Sequence, residues 1–187
     1  MRKFIYVIFI LSFFLTACSD NESSNLPLAT ESDIVGTWSL VDFYSKDGKF
    51  TMSTVSNGDI SGSFEVKAKD FNNATTTFSQ NPNESYDSGS FNMELQVKTA
   101  ISSGTQTEIV TADPSIKTEW SLSDNTLFFN FENDFFTGQL SAQIIYFDEN
   151  KLELKANFEE NISTPEDVNL GVTNTKFKGT IYLTYTK

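Results

Sequence analysis

One side chain in this sequence of 187 residues offers chemistry that nothing else in it can supply: Cys18, the single cysteine. A thiol is a soft nucleophile suited to thioether formation, and alone in its chain it forms no intramolecular disulfide. Histidine is absent altogether. That removes the commonest general base, the commonest metal ligand and every Ser-His or Cys-His nucleophile pair. Carboxylates are plentiful but unpatterned. Asp124, Glu132 and Asp134 match no calcium-loop spacing. Glu159-Glu160 and Glu166-Asp167 read as solvated loop acids. Paired carboxylates can hydrolyse glycosides, but nothing in the sequence brings two of these together in a cleft. The expectation is a protein that is not an enzyme and has no cofactor and no metal.

The surroundings of Cys18 explain its presence. Arg2 and Lys3 precede an apolar run, Phe4 to Leu15, of about a dozen residues, short of the roughly 20 that a spanning helix needs. A basic start, a short apolar run and small residues before a cut site form a secretory signal. Leu15-Thr16-Ala17-Cys18 resembles the lipobox of bacterial lipoproteins. The resemblance implies cleavage before Cys18 and lipid modification of its sulfur, with acyl chains such as palmitate. Each buried CH2 then contributes roughly 0.8 kcal/mol to anchoring.

Loss of residues 1–17 takes Arg2 and Lys3 from the 13 basic residues, leaving 11 against 25 acidic ones and a formal charge of −14. Such a surface repels nucleic acid, which is not an expected partner. Residues 18–33 follow as a lipidated cysteine and a polar, acidic tether. Ser19-Asp20-Asn21-Glu22 resembles acidic signals that carry some Gram-negative lipoproteins to the outer face of the outer membrane. The expected location is the cell envelope, lipid-anchored at the outer membrane, facing either the periplasm or the outside.

From residue 34 the chain reads as one domain of strands. Eighteen phenylalanines, six tyrosines and many Thr, Ser and Asn favour strands and turns. Alternation is cleanest over Lys151–Phe158, where Leu152, Leu154, Ala156 and Phe158 oppose Lys151, Glu153, Lys155 and Asn157. Further strands are expected at 34–44, 50–55, 62–69, 90–101, 105–111, 116–122, 126–131, 139–147 and 176–186. Lys46-Asp47-Gly48-Lys49 reads as a turn, 70–88 as a polar loop with a weak strand at 74–78, and 159–174 as an acidic loop. The fold class is all-β, antiparallel, with about 8–10 strands meandering into a barrel or sandwich.

Ile34-Val35-Gly36-Thr37-Trp38-Ser39-Leu40 resembles the start of lipocalin-like domains of bacterial lipoproteins, whose hallmark is Gly-x-Trp on the first strand. Glu119–Leu127, Asp148–Leu154 and the final strand ending in Tyr185-Thr186-Lys187 fit the same pattern. The resemblance implies an up-and-down barrel over residues 34–187, and the chain is expected to be a monomer. It also implies a cation over the tryptophan ring, and with no arginine left after the signal, Lys176 or Lys178 is expected there. Trp38, Phe129, Phe131, Ile145, Leu152, Leu154, Leu183 and Tyr185 would then line a calyx for a small apolar ligand. Two readings stand: ligand binding in or at the mouth of the barrel, and a filled barrel whose acidic loops contact an envelope protein partner.

Overall fold

The structure, a computed structural model, describes residues 28–54, 58–99, 104–112, 116–133, 136–162 and 172–187; of residues 131–133, 136–138, 162, 172 and 173 it describes the backbone alone. One short helix, α1 (Glu31–Ile34), precedes nine strands: β1 (Gly36–Thr54), β2 (Gly58–Ser79), β3 (Glu84–Thr99), β4 (Thr105–Ala112), β5 (Lys117–Ser123), β6 (Thr126–Asn133), β7 (Phe136–Phe147), β8 (Lys151–Ile162) and β9 (Val172–Thr186). All pairings are antiparallel. The strand order β2-β1-β9-β8-β7-β6-β5-β3 closes on itself through β2–β3, and β4 adds to β3 beside β5. A closed ring removes sheet edges, which otherwise invite pairing with other chains.

The two ends of the ring differ. Near the turns β2–β3, β5–β6 and β7–β8 all eight ring strands pair around the circle. Toward the other end β8 pairs with β7 only through Leu152–Lys155, while β8–β9 pairing continues to Ile162. On that side β3 passes from β5, at Glu84–Tyr86, to β4, at Phe91–Lys98. The barrel is narrow at one end and flares into a sheet at the other.

Four stretches differ from the sequence expectation, two of them for one physical reason. Lys46–Lys49 is not a turn: β1 runs through it with register shifts, and Asp47 takes a positive φ of 57°. Residues 70–79 extend β2, with Asp70 at φ 54° and Asn73 at φ 49° beside its shifts. Asp and Asn tolerate the left-handed region, so residues that mark turns here make bulges inside long strands. Residues 84–88 begin β3, and 159–162 extend β8. The rest of the expected acidic loop, 163–171, lies outside the described residues.

The inner face carries two apolar groups. One, at the narrow end, is built on Ile34, Trp38, Phe78, Trp120, Leu127, Ile144, Leu152 and Leu154. The second, in the flared half, consists of Phe50, Phe64, Leu95, Phe158 and Ile181. Phe43 and Leu183 touch both, so the inner face is continuous. Phe64 packs on Phe158 and on Phe177 at centroid distances of 6.1 Å, the second edge-on.

Candidate functional site: the plugged end and the inner face

The narrow end is sealed by the segment before β1. Thr30 starts α1: its backbone N–H and its hydroxyl both donate to Asp33 Oδ2, at 2.8 and 2.7 Å. These bonds hold the Asp33 carboxyl below its usual range. Contacts from three directions fix the plug. Ala29 N–H donates to Asn125 Oδ1 (2.8 Å) at the β5–β6 turn. Gln80 Nε2 donates to Glu31 Oε2 (3.3 Å) from the β2–β3 turn. Lys187 Nζ reaches the Asp33 carbonyl at 3.5 Å. Ile34 is thereby fully buried.

Above the plug lies Trp38, also 0% exposed. Its indole N–H donates to the Ile34 carbonyl at 2.8 Å, satisfying its one polar atom. Lys187 Nζ stands 4.3 Å from the ring centroid. The cation expected from β9 is therefore Lys187 and neither Lys176 nor Lys178. Lys176 instead pairs with Glu159, and Lys178 is an exposed residue on the flared half. Trp120 mirrors Trp38, donating to the carbonyls of Ser79 (3.0 Å) and Glu84 (3.2 Å).

A polar group interrupts the apolar interior. Thr76 on β2 opposes Trp38 on one side and Asp87 on the other. Its hydroxyl donates to Asp87 Oδ1 at 2.5 Å and also meets the Tyr185 phenol. Asp87 keeps part of its surface, but its carboxyl is set inside, and burial pushes its pKa up to about 6 against the Thr76 hydrogen bond. Burial, with the Asp87 carboxylate nearby, pushes the Tyr185 phenol well above its ordinary value. Beside them Ser85 and Thr118, both buried, share a 2.6 Å hydrogen bond.

Of the eight aromatic and aliphatic candidates, Trp38, Leu152, Leu154 and Tyr185 are buried in the interior, and Phe129 and Leu183 pack against it half-buried. Ile145 is not in the interior. Ile144, at 1% exposure, continues the inward period of Leu140 and Ala142, and the register shift after it, between Ile144 and Tyr146, turns Phe147 inward while Tyr146 is exposed. The side chain of Phe131 and all of Cys18 lie outside the described residues. The Thr76–Asp87–Tyr185 group escaped sequence reasoning because 70–88 reads as a loop. The period of two over Ser85 and Asp87, and over Ala74, Thr76 and Phe78, was its only signal.

Among the described residues no three His, Cys, Asp or Glu side chains gather as a metal site. No protein-family model matches the chain, and comparisons with curated proteins and with solved structures found no match.

Proposed function

We propose that the chain is a cell-envelope lipoprotein, anchored through lipid on Cys18, whose lipocalin-like barrel binds a small apolar ligand at the flared mouth. One asymmetry carries the reading. At the plugged end Ile34 and Trp38 are wholly buried, and Leu127, Ile144 and Leu152 above them are at most 1% exposed. Side chains so enclosed leave no water-sized space against them, so a ligand would not sit deep among them. At the other end Met52, Val66, Val97 and Phe177 stay partly exposed on the same apolar face. An apolar guest there would remove that surface from water at roughly 25 cal/mol per Å2.

The filled lower half also favours a second reading, a barrel that contacts an envelope protein instead. Native mass spectrometry of the protein purified from its own cells separates the two. The first reading expects a small extractable mass on the protein, lost in a Val97→Asp, Phe177→Asp variant. A bare protein that also binds no fatty-acid probe would overturn it, and a co-purified protein would favour the second.

A further inference from the structure

The outer face of the flared half has a charge pattern that the acidic composition hides. Strands β4 to β7 carry one lysine, Lys117; every other lysine after the signal except Lys187 lies on β1, β2, β3, β8 or β9. Strand register sets many of them in rows around the barrel. One row runs Lys98, Ser63, Lys49, Lys178, Glu159 across β3, β2, β1, β9 and β8. A second runs Lys67, Tyr44, Tyr182, Lys155 across β2, β1, β9 and β8. Lys46, opposite Thr180, stands between the rows.

Two features leave this face positive. Lys49 and Lys178 are exposed and directly opposite each other, an arrangement that destabilises a sheet. Lys46, Lys49, Lys67, Lys98, Lys155 and Lys178 form no ion pair among the described residues, in a chain with 25 acidic residues to offer. The carboxylates in or beside the rows are shared: Glu159 opposes Lys178 but bonds Lys176, Glu94 opposes Lys67 but bonds Lys69, and Asp47 is exposed between Lys46 and Lys49. Glu65 stands between the rows, at the rim of a shallow recess formed with Ser63, Gln96 and Lys98.

We propose that this face binds an acidic polysaccharide laid along the lysine rows. The rows cross the outer side of the flared, twisted sheet, whose curvature a linear polymer can track and a flat bilayer meets only in part. Strands about 4.8 Å apart put the row from Lys98 to Lys178 at roughly 14 Å, the scale of a few sugar units. Tyr44 and Tyr182 stack on each other at 4.9 Å with a 12° tilt, and Lys46 lies 5.2 Å from both rings. Their facing surfaces are thus already occupied, which disfavours base stacking of a nucleic acid. What the face offers instead is ammonium groups, phenols and the hydroxyls and amides of Ser63, Thr180 and Asn157, the partners that carboxylated or sulfated sugars use.

The test is binding of the full chain, in detergent, to immobilised polygalacturonate and heparin at rising salt. Beside them stand an oligothymidylate column and vesicles of phosphatidylcholine with or without phosphatidylglycerol. The proposal expects salt-sensitive retention on an acidic glycan. It expects a loss of about tenfold in affinity for Lys49→Glu, Lys178→Glu, with Lys117→Gln unchanged. Lys49→Gln, Lys178→Gln should weaken binding less while keeping the thermal midpoint, which separates lost charge from lost fold. No retention on either glycan, retention indifferent to the Lys49 and Lys178 variants, or stronger binding to oligothymidylate or to the anionic vesicles overturns it.

Discussion

The Lys187 ammonium sits 4.3 Å above the Trp38 ring centroid, so a residue beyond the last strand covers an indole on the first. The same ammonium reaches the Asp33 carbonyl, and the Lys187 backbone N–H donates to the Asn150 carbonyl at 3.1 Å. One lysine therefore ties together α1, β1, the β7–β8 turn and the end of β9. A cation over an aromatic face contributes about 0.5–2 kcal/mol, more as the site is desolvated. Lys187→Ala should lower unfolding free energy by about 1 kcal/mol in urea titration, and Lys187→Arg should hold or raise it because a planar guanidinium stacks better. An alanine variant as stable as the parent would make the contact incidental.

Trp38 itself should matter more. It is fully buried, bonded to the Ile34 carbonyl and 6.3 Å from the Phe147 ring. Trp38→Ala removes that volume and leaves a carbonyl without its donor, so a loss of about 3–5 kcal/mol is expected. Trp38→Phe should lose less, since the ring volume is largely kept. Chemical denaturation of both variants orders the two costs.

The bulge in β2 depends on a glycine in β3. Gly89 has φ of 80°, and a Cβ there would lie 2.0 Å from the Asn73 carbonyl oxygen. Both the backbone conformation and the close approach exclude a side chain. Gly89→Ala should destabilise by more than 1 kcal/mol, seen as a lower thermal midpoint. Asn73→Gly should be tolerated, because it relaxes the positive φ on the other side of the same contact.

These positions show what the sequence makes legible and what it hides. Strand existence follows from period-two burial, as in β8, where Leu152, Leu154, Ala156 and Phe158 are all buried. The Gly36-x-Trp38 start is legible too, since Trp38 lands on a plugged end. Bulges are not legible, because Asp47, Asp70 and Asn73 carry the same local chemistry whether the chain turns back or goes on. Only pairing with a neighbouring strand decides, and that is set by residues far away in sequence. The bulge after Ile144 sets Ile144 and Phe147 both inward, so a period of two counted back from Phe147 lands on Ile145, and reading 79–88 as a loop hid the pairing of Asp87 with Thr76.

Cys18→Ala tests the anchor independently of the barrel. If lipid on Cys18 holds the protein, fractionation of cells should find acyl-labelled parent protein in membranes and an unlabelled variant. The purified variant should keep the β-rich circular dichroism and thermal midpoint of the parent, since the ring begins at Gly36. Metabolic labelling that persists in the variant would remove the lipobox reading and leave the barrel untouched.

Asp87 gives the barrel a pH dependence opposite to that of Asp33, Glu94, Asp148 and Glu159. Its pKa of about 6 lies above the ordinary value of 3.8, so the folded state holds this proton more tightly than the unfolded state does. The contribution to stability is complete below about pH 4. It declines as pH rises through 6 and is gone above that, a change of up to about 2–3 kcal/mol. Asp33, Glu94, Asp148 and Glu159 have lowered values and act the other way, losing stability as pH falls through the acid range. The difference between Asp87→Asn and the parent isolates the one group. Denaturation at a series of pH values should find the two close at pH 4 and the variant more stable by about 2 kcal/mol at pH 7.5. Thr76→Val takes away the hydrogen bond that favours the charged form. Its midpoint should therefore lie above that of the parent. A parent-minus-variant difference that stays flat from pH 4 to pH 7.5 would mean that the carboxyl is solvated, and that the Thr76–Asp87–Tyr185 group is open to water.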